Sequence, residues 1–441
     1  MTAAALLSWL NFFVADVRDG LGPFLGVFLI QNGFGEADIG LITSIASIAA
    51  LTLGVPCGIL VDRTTHKKQL IAAFIALIVL ACTLNYFRPS FAFTLAAQLA
   101  AALSGVFLAP AFAALTLGIM GTRRYAAQCA RNEAFKHAGT VFGAGLGFVF
   151  AFYFGIASIF VITAVLGACS LVVLTLIRSG DIDDSVACGA AKSRQSTKIW
   201  ALLCDRRVLF LSAVMFCFHL SNAAMLPLLS QRAHAMGVDS SGAYAAATII
   251  IAQSTMILVA FVCGKLVARG ENSQNSVNLS QNLQENSQNL KQNLAKNSTQ
   301  ISAENSPQKT TDKLAFKVYF WLFFACFFAL IIRALIAANH ADTAAMVCVQ
   351  VLDGVGAGVS GVIVPIIVAF MLRGSGHINA GLAAVLTFGG LGAALSNGAA
   401  GYFAQFHGYF AAYAFLGFVA CAGLLLWLFG SHFLLVKQSL V

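Results

Sequence analysis

The sequence predicts an all-α integral membrane protein with twelve transmembrane helices, arranged as two pseudo-symmetric six-helix bundles. Three observations support this fold class: the composition, a series of long apolar segments, and an uneven distribution of positive charge. Of the 441 residues, 59% are hydrophobic and only 10% are charged, and the mean hydropathy is +0.85. Soluble domains carry about 25% charged residues, so water is the wrong solvent for most of this chain.

Twelve apolar segments, named spans 1 to 12 in chain order, are each long enough to cross about 30 Å of hydrocarbon as a helix. Their approximate limits are 6–30, 39–61, 70–87, 91–117, 138–154, 157–177, 208–228, 244–267, 318–338, 344–371, 380–403 and 410–429. Span 1 lacks a basic start and carries Asp16, Arg18 and Asp19 near its middle, so we interpret it as a mature helix rather than a secretory signal. The 11 cysteines occur singly, and we therefore expect no disulfide framework, no metal site and no cofactor.

Positive charge is concentrated in the loops of one side. With the N-terminus placed inside, all but four of the 26 Lys and Arg residues lie in the inner loops, the linker or the C-terminus. The exceptions are Arg88 and Arg232 outside, and Arg18 and Arg333 within spans. An excess of Lys and Arg in cytoplasmic loops sets the orientation of a membrane protein, so the net charge of +9 reports topology. We expect the cytoplasmic (inner) membrane, cytoplasmic termini and no nucleic-acid partner.

The chain divides into two similar halves. We predict an N-terminal six-helix bundle at 1–180, a cytoplasmic linker at 181–207 and a C-terminal bundle at 208–436, and the order Gln98, Pro110 in span 4 is echoed by Gln350, Pro365 in span 10. Such repeats are common in secondary transporters, although glycine-rich helices can also resemble each other by composition alone. The Asn/Gln/Ser-rich stretch 271–313 predicts a disordered cytoplasmic insertion, with a short coiled coil as the alternative.

The loop between spans 2 and 3 carries the most specific motif. Its sequence GILVDRTTHKK resembles the G-x-L-x-D-R-x-G-R-R signature of the major facilitator superfamily through the residues Gly58, Leu60, Asp62, Arg63, Lys67 and Lys68. Thr65 or His66 stands where that family has glycine. The resemblance extends over nearly the whole chain. It implies alternating access, in which charged contacts at the inner loops hold one face closed.

By this resemblance, Asp62 would form a latch with Arg63 and Lys67, and Arg131 and Glu133 would partner the same loop. The alternative is that this motif has no gating role. An Asp at a helix end, followed by the Lys and Arg residues expected in an inner loop, gives a similar sequence. Arg131 and Glu133 are equally explained by the start of span 5.

Charges embedded in the spans are the candidate substrate and proton contacts, because a charge at the bilayer centre costs about 2.5 to 3.5 kcal/mol and is rarely kept without a role. Asp16, Arg18 and Asp19 form one such group in span 1, with a static ion-pair network as the alternative. Asp353, one turn after Gln350 in span 10, is the second-half carboxylate best placed to titrate.

Five further polar residues lie inside predicted spans. Arg333, near the outer end of span 9, either contributes to a site or extends its long side chain to the interface. His219 and Asn222 share one face of span 7 and predict a substrate contact, although a lone buried His is usually a packing residue. Gln98 and Gln253 are further cavity candidates.

The sequence therefore predicts a monomeric secondary active transporter for a small organic solute, coupled to protons, with uptake and efflux both open. No G-x-x-x-x-G-K-[ST] motif supports ATP as the energy source, and no catalytic motif indicates an enzyme. A transporter-like receptor or scaffold that uses the insertion, or a polytopic membrane enzyme, are the alternatives. Removal of 271–312 would abolish function only in the receptor case.

Overall fold

A computed structural model describes residues 1–19, 25, 28–29, 31–34, 36–155, 157–189, 204–226, 228–229, 232, 250–269, 307–340 and 342–435. These residues are mostly helical, and no β-strand occurs among them. The helices of the first half are α1 (Ala3–Asp19), α2 (Glu36–Arg63), α3 (Lys67–Phe87), α4 (Phe91–Phe154) and α5 (Ala157–Leu176), followed by a 3-10 turn (Ser179–Asp181) and α6 (Asp184–Ala187). Those of the second half are α7 (Arg206–Asn222), α8 (Ile250–Arg269), α9 (Pro307–Asn339), α10 (Thr343–Met371) and α11 (Ile378–Gly430), with a final 3-10 turn (Ser431–Leu435).

Eight of the described helices are long and apolar enough to cross a membrane. Two of these are pairs of helices joined at a glycine: Gly121 has φ 66° inside α4, and Gly408 has φ 82° inside α11. Left-handed backbone is readily adopted only by glycine, so these two positions reverse the chain between consecutive spans at little steric cost. As a result, α4 contains spans 4 and 5, and α11 contains spans 11 and 12. This arrangement fits the predicted fold class, and spans 1, 7 and 8 extend partly beyond the described residues.

The structure differs from the prediction at the C-terminal end of the insertion. Helix α9 begins at Pro307, whereas disorder was expected up to residue 313. Proline favours the first turn of a helix because its φ is already helical and its missing N–H has no acceptor there. Residues 271–306, including the coiled-coil alternative, and linker residues 190–203 lie outside the described part of the chain. The predicted domain boundaries remain a prediction.

Close packing between helices depends on small residues. Gly139 on α4 lies against the backbone of α1, where an added Cβ would be 2.0 Å from the carbonyl oxygen of Phe12. In lipid, helices associate through such close van der Waals contact rather than through hydrophobic burial. One buried core is formed by residues numbered from 6 to 187, and another, which includes Trp427, draws on residues of both halves. The indole N–H of Trp427 donates to the Phe320 carbonyl at 3.1 Å.

The two halves contact each other along α2 and α11. Cβ atoms added at Gly54 and Gly58 would lie 2.1 Å from the Thr387 hydroxyl and 2.7 Å from the Asn379 carbonyl, respectively. Only glycine permits this approach, so α2 and α11 meet backbone to backbone at this contact. It lies at the end of the molecule that carries the basic loop of Arg63, and we call it the basic end.

Candidate functional site

A cavity of about 410 Å³ lies between the two halves. Its wall is built from α1 and α4 of the first half and from α7, α8, α10 and α11 of the second. Small-solute sites are typically clefts of about 300 to 1,000 Å³ with mostly apolar walls and a few polar groups, and this cavity falls within that range. Its polar lining consists of Asn11, Thr116, Asn132, Glu133, Lys136, His137, Thr140, His219, Asn222, Gln253 and Ser360.

The charged part of the wall comes from one face of α4. Glu133, Lys136 and His137 follow the i, i+3, i+4 spacing that places side chains side by side on a helix. Lys136 forms an ion pair with Glu133, and Nε2 of His137 lies 3.6 Å from the Oε2 atom of Glu133. On the opposite half, Gly361 leaves room for this carboxylate, because an added Cβ would lie 2.9 Å from the same Oε2 atom.

His137 links the two halves across the cavity. Its Nδ1 atom lies 2.6 Å from Oε1 of Gln253 on α8, and since that oxygen is an acceptor, the imidazole N–H donates. The predicted cavity residue Gln253 is therefore placed in the wall. The predicted residues His219 and Asn222 also line it, from α7.

A second polar network lies buried behind this wall in the second half. Arg333 is 0% exposed, and its Nη1 atom lies 2.8 Å from Oδ1 of Asp353 and 2.5 Å from Oδ1 of Asn222. The prediction that Arg333 extends its side chain to the membrane interface is therefore wrong, because the side chain turns into the protein toward the Asp353 carboxylate. Gln350 is also 0% exposed, and its amide has no hydrogen-bond partner among the described residues. Asn222 connects this network to the cavity.

At the basic end, Asp62 joins α2 to the first turn of α11. Its carboxylate accepts the backbone N–H of Ala380 at 2.8 Å, and the backbone N–H and side-chain amide of Asn379 at 3.2 and 2.8 Å. First-turn N–H groups of a helix have no intrahelical acceptor, and the positive end of the helix dipole favours a carboxylate. The amide of Asn379 also donates to the Ala187 carbonyl at 2.9 Å, which ties α6 into the same contact.

The partners predicted for the basic residues of this loop need correction. Lys67, expected beside Asp62, instead pairs with Asp184 of α6 at 2.8 Å. Lys68 donates to the Ile177 carbonyl at 2.5 Å at the end of α5, and Arg63 is exposed. The physical reason is that Asp62 is buried against α11, where three N–H groups already surround it.

The remaining predicted residues are dispersed. Arg131 is exposed, with its guanidinium over the ring of Phe135 at 5.6 Å, and Gln98 is half-buried and does not line the cavity. Glu133, predicted as a gating residue, lies in the cavity wall. The side chains of Asp16, Arg18 and Asp19 lie outside the described part of α1.

Sequence reasoning missed much of the polar lining, including Lys136 and His137, and it missed Asn379 at the basic end. Lys136 and His137 were not predicted as site residues, although their spacing from Glu133 places all three on one face of a helix. Asn379 carried no local signal, because its contact with Asp62 joins positions more than 300 residues apart.

Comparison with known proteins agrees with this geometry. Residues 2–280 match the family model described as Major Facilitator Superfamily. Two uncharacterized MFS-type transporters from two strains of Mycobacterium tuberculosis are each 32% identical to this chain, over 96% of it and 92% of their own length. Among solved structures, the fucose:proton symporter of E. coli has a TM-score of 0.68 at 14% identity, covering 99% of this chain and 98% of its own. A bacterial homologue of the iron transporter ferroportin, in an outward-facing state, has a TM-score of 0.67 at 11% identity, covering 98% and 100%. At these identities the structures show similarity of fold alone.

Proposed function

Because the chain belongs to the major facilitator superfamily, we propose that it is a secondary active transporter that moves a small organic solute by alternating access, driven by a proton gradient. The single observation that carries this proposal is the cavity between the halves together with the contact that joins them at one end. A solute bound there is touched by both halves, so a rocking motion about the cavity changes the side from which it is reached.

The basic end corresponds to the cytoplasmic face in this proposal. The support is the excess of Lys and Arg in its loops, which favours retention on the cytoplasmic side. The packing of Gly58 on α11 and the bonds of Asp62 then hold the cytoplasmic face closed. Opening that face requires both contacts to break, which makes them the gate.

Proton coupling is proposed because ionisable side chains line the cavity. Among the described residues these include Glu133, His137 and His219. Asp353, predicted as the second-half proton carrier, is paired with Arg333, and Arg333 in turn donates to Asn222 of the cavity wall. The span 1 group of Asp16, Arg18 and Asp19 stays a predicted contact for solute or proton.

The test is flux in proteoliposomes across a panel of amino acids, sugars, organic acids and organic cations, with and without a pH gradient. We expect at least one solute to accumulate only when the gradient is present. Gly58→Leu should abolish this flux, because its side chain would meet the Asn379 carbonyl and prevent the basic end from closing. Gly105→Leu is the matched control, since an added Cβ there meets no atom within 4 Å.

Failure of every solute to move would refute the transport proposal. Where a solute does move, deletion of 271–306, which leaves α9 intact from Pro307, tests the receptor or scaffold alternative. A transporter with a passive insertion keeps its flux after this deletion.

A further inference from the structure

We propose that Asn222 binds a carbonyl oxygen of the solute, because the buried Arg333 takes the oxygen of the Asn222 amide and leaves its N–H groups facing the cavity. The solute class is an apolar molecule that carries a carbonyl group. This inference rests on the proposed transport function, because it assigns a substrate class and a specificity-determining residue to the same cavity.

The orientation of the Asn222 amide is fixed by the chemistry of its partner. Nη1 of Arg333 lies 2.5 Å from Oδ1 of Asn222 and 2.8 Å from Oδ1 of Asp353, so its two N–H groups serve one oxygen each. A guanidinium has five N–H donors and no acceptor. It therefore bonds only the oxygen end of the amide, and the nitrogen end points away from it.

A reversed Asn222 amide would be unfavourable at this place. Arg333 is 0% exposed, and its Nε and Nη2 atoms already have no hydrogen-bond partner among the described residues. Turning the amide around would set its N–H groups against the guanidinium and leave a further buried donor without an acceptor. Such a donor has lost its water and gained no protein partner in exchange. The amide is therefore held in one orientation before a solute binds.

The amide nitrogen of Asn222 is accessible from the cavity. Asn222 is half-buried and lines the cavity from α7, and its one hydrogen bond among the described residues is the bond from Arg333. Its nitrogen is not among the buried atoms that lack a partner, so it contacts open space. A carbonyl oxygen accepts and cannot donate, which makes it complementary to these N–H groups.

The other uncharged donors of the wall already have acceptors in their own half. Asn11 donates to a backbone carbonyl of its own helix at 2.8 Å, and the amide of Asn132 donates to the Thr116 hydroxyl at 3.0 Å. The hydroxyls of Thr140 and Ser360 donate to carbonyls of their own helices at 3.2 and 3.0 Å. These groups are satisfied before a solute arrives.

Gln253 and His219 do not impose a fixed polarity on the wall. Gln253 is held by His137 at 2.6 Å, but an imidazole can donate or accept and would hold either end of an amide. The imidazole of His219, one turn before Asn222 on α7, can likewise offer a donor or an acceptor to a solute. The fixed donor among these groups is therefore Asn222.

The rest of the lining indicates the body of the solute. Apolar side chains from both halves face the cavity, among them Phe112, Met215, Phe218, Met256 and Leu386. The described charged side chains of the wall, Glu133 and Lys136, form an ion pair with each other, and an uncharged carbonyl group leaves that pair intact. An apolar body with one oriented polar group matches a wall that is mostly apolar with few polar groups.

The experiment measures binding to the full-length protein in detergent by isothermal titration calorimetry, with the heat of titration into detergent alone subtracted. Three probes share one apolar body and differ at one atom. Hydrocinnamamide has a carbonyl oxygen, its thioamide has sulfur, which is a weak acceptor, and its amidine has a nitrogen that donates. We expect the amide to bind about tenfold or more tighter than either other probe, since it alone gives the Asn222 N–H group a good acceptor.

Variants of Asn222 test whether this residue sets the preference. Asn222→Asp keeps the shape but turns an oxygen toward the cavity, because Arg333 takes the other oxygen. The preference should then reverse, with the amidine bound about tenfold or more tighter than the amide. Asn222→Leu, similar in size but without polar atoms, should lower the affinity for the amide to that for the thioamide. Asn339→Asp, at an exposed position outside the cavity, is the matched control and should keep the original preference.

A second set of variants tests the positioning role of Arg333. Arg333→Met combined with Asp353→Leu removes the ion pair without leaving a buried charge, and it frees Asn222 to present either end of its amide. The ratio of amide to amidine affinity should then fall toward one, whereas a merely structural role of the pair would lower both affinities by the same factor. Arg333→Lys, whose ammonium also only donates, should preserve the ratio.

The outcomes that overturn the inference are distinct. Retention of the amide preference in both Asn222→Asp and Asn222→Leu would show that another group binds the carbonyl oxygen. An unchanged ratio in the double variant would remove the positioning role of Arg333. If none of the three probes binds the intact protein, the substrate class is wrong, and the transport proposal is unaffected because flux across the solute panel is measured separately. If the amide binds as expected but no solute of the panel moves, the transport proposal fails and recognition by Asn222 stands.

Discussion

Replacement of Asp62 by Asn should loosen the basic end without disturbing either half. The carboxylate accepts three N–H groups of Asn379 and Ala380, and an uncharged amide retains only one weaker acceptor oxygen. Hydrogen bonds to a charged group contribute about 1.5 to 3 kcal/mol each, against about 1 kcal/mol for neutral ones. With the loss of the charge at the helix N-terminus included, the closed contact should weaken by about 2 to 3 kcal/mol.

This loss corresponds to an opening equilibrium about 30- to 150-fold larger, since about 1.4 kcal/mol is a factor of ten. Hydrogen exchange with mass spectrometry measures it directly in the peptide that contains residues 378–381. The amides of Asn379 and Ala380 lie in the first turn of α11, and their acceptor is the Asp62 carboxylate. Their exchange should therefore accelerate by the same factor in Asp62→Asn, because exchange of a protected amide follows the opening free energy.

The matched control is Asp342→Asn. Asp342 also caps a helix, since its Oδ1 accepts the Ala345 N–H at 2.8 Å at the start of α10, but that contact stays within one half. The control should leave exchange at residues 378–381 unchanged. If Asp62→Asn and Asp62→Ala both exchange at these amides as slowly as the intact protein, the carboxylate does not hold the basic end closed and the gate argument fails.

Three further predictions concern stability and the gate. Arg333→Met and Asp353→Leu should each destabilise the protein by about 3 to 5 kcal/mol, because each leaves a buried charge unpaired. Thermal unfolding in detergent measures this, and the double variant should be more stable than either single variant. Additive losses of stability in the double variant would contradict the pairing. Lys67→Met should speed trypsin cleavage near Asp184, because it removes the ion pair that holds α6. Asp184→Asn removes the same ion pair more mildly and should speed cleavage less. Equal resistance of the intact protein and both variants would show that the ion pair does not secure α6. Gly121→Val should lower the unfolding temperature, because a β-branched residue is strained at φ 66°, and an unchanged temperature would contradict the left-handed turn.

The location of the proposed gate was accessible from the sequence, but the partners of its residues were not. The motif around Gly58 and Asp62 predicted a closing contact at the inner loop that follows span 2. The family resemblance implied Arg63 and Lys67 as the partners of Asp62, and both lie close to it in the chain. The structure shows that buried carboxylates are satisfied by whichever donors the fold brings near, and here those are the N–H groups of α11.

The residues that line the cavity were also predicted from the sequence only in part. His219, Asn222 and Gln253 were predicted from the rule that polar residues inside apolar spans face a protein interior. That rule also selected Gln98, which does not line the cavity. The rule predicts that a polar residue faces protein rather than lipid, but it does not predict whether that residue faces the cavity. It overlooked Lys136 and His137, since positive charge near an inner loop is expected for reasons of topology alone.

The sequence by itself determined that this protein lies in a lipid bilayer, which family it belongs to and where its apolar spans are. These properties depend on composition and on local segments long enough to cross a bilayer. Only the tertiary structure decided which polar groups meet: Asp62 with α11, Arg333 with Asp353, and His137 with Gln253. Each of these contacts joins different helices, and two of the three join different halves. Their partners are set by helix rotation and close packing at glycine, and both properties depend on the whole bundle rather than on any one segment.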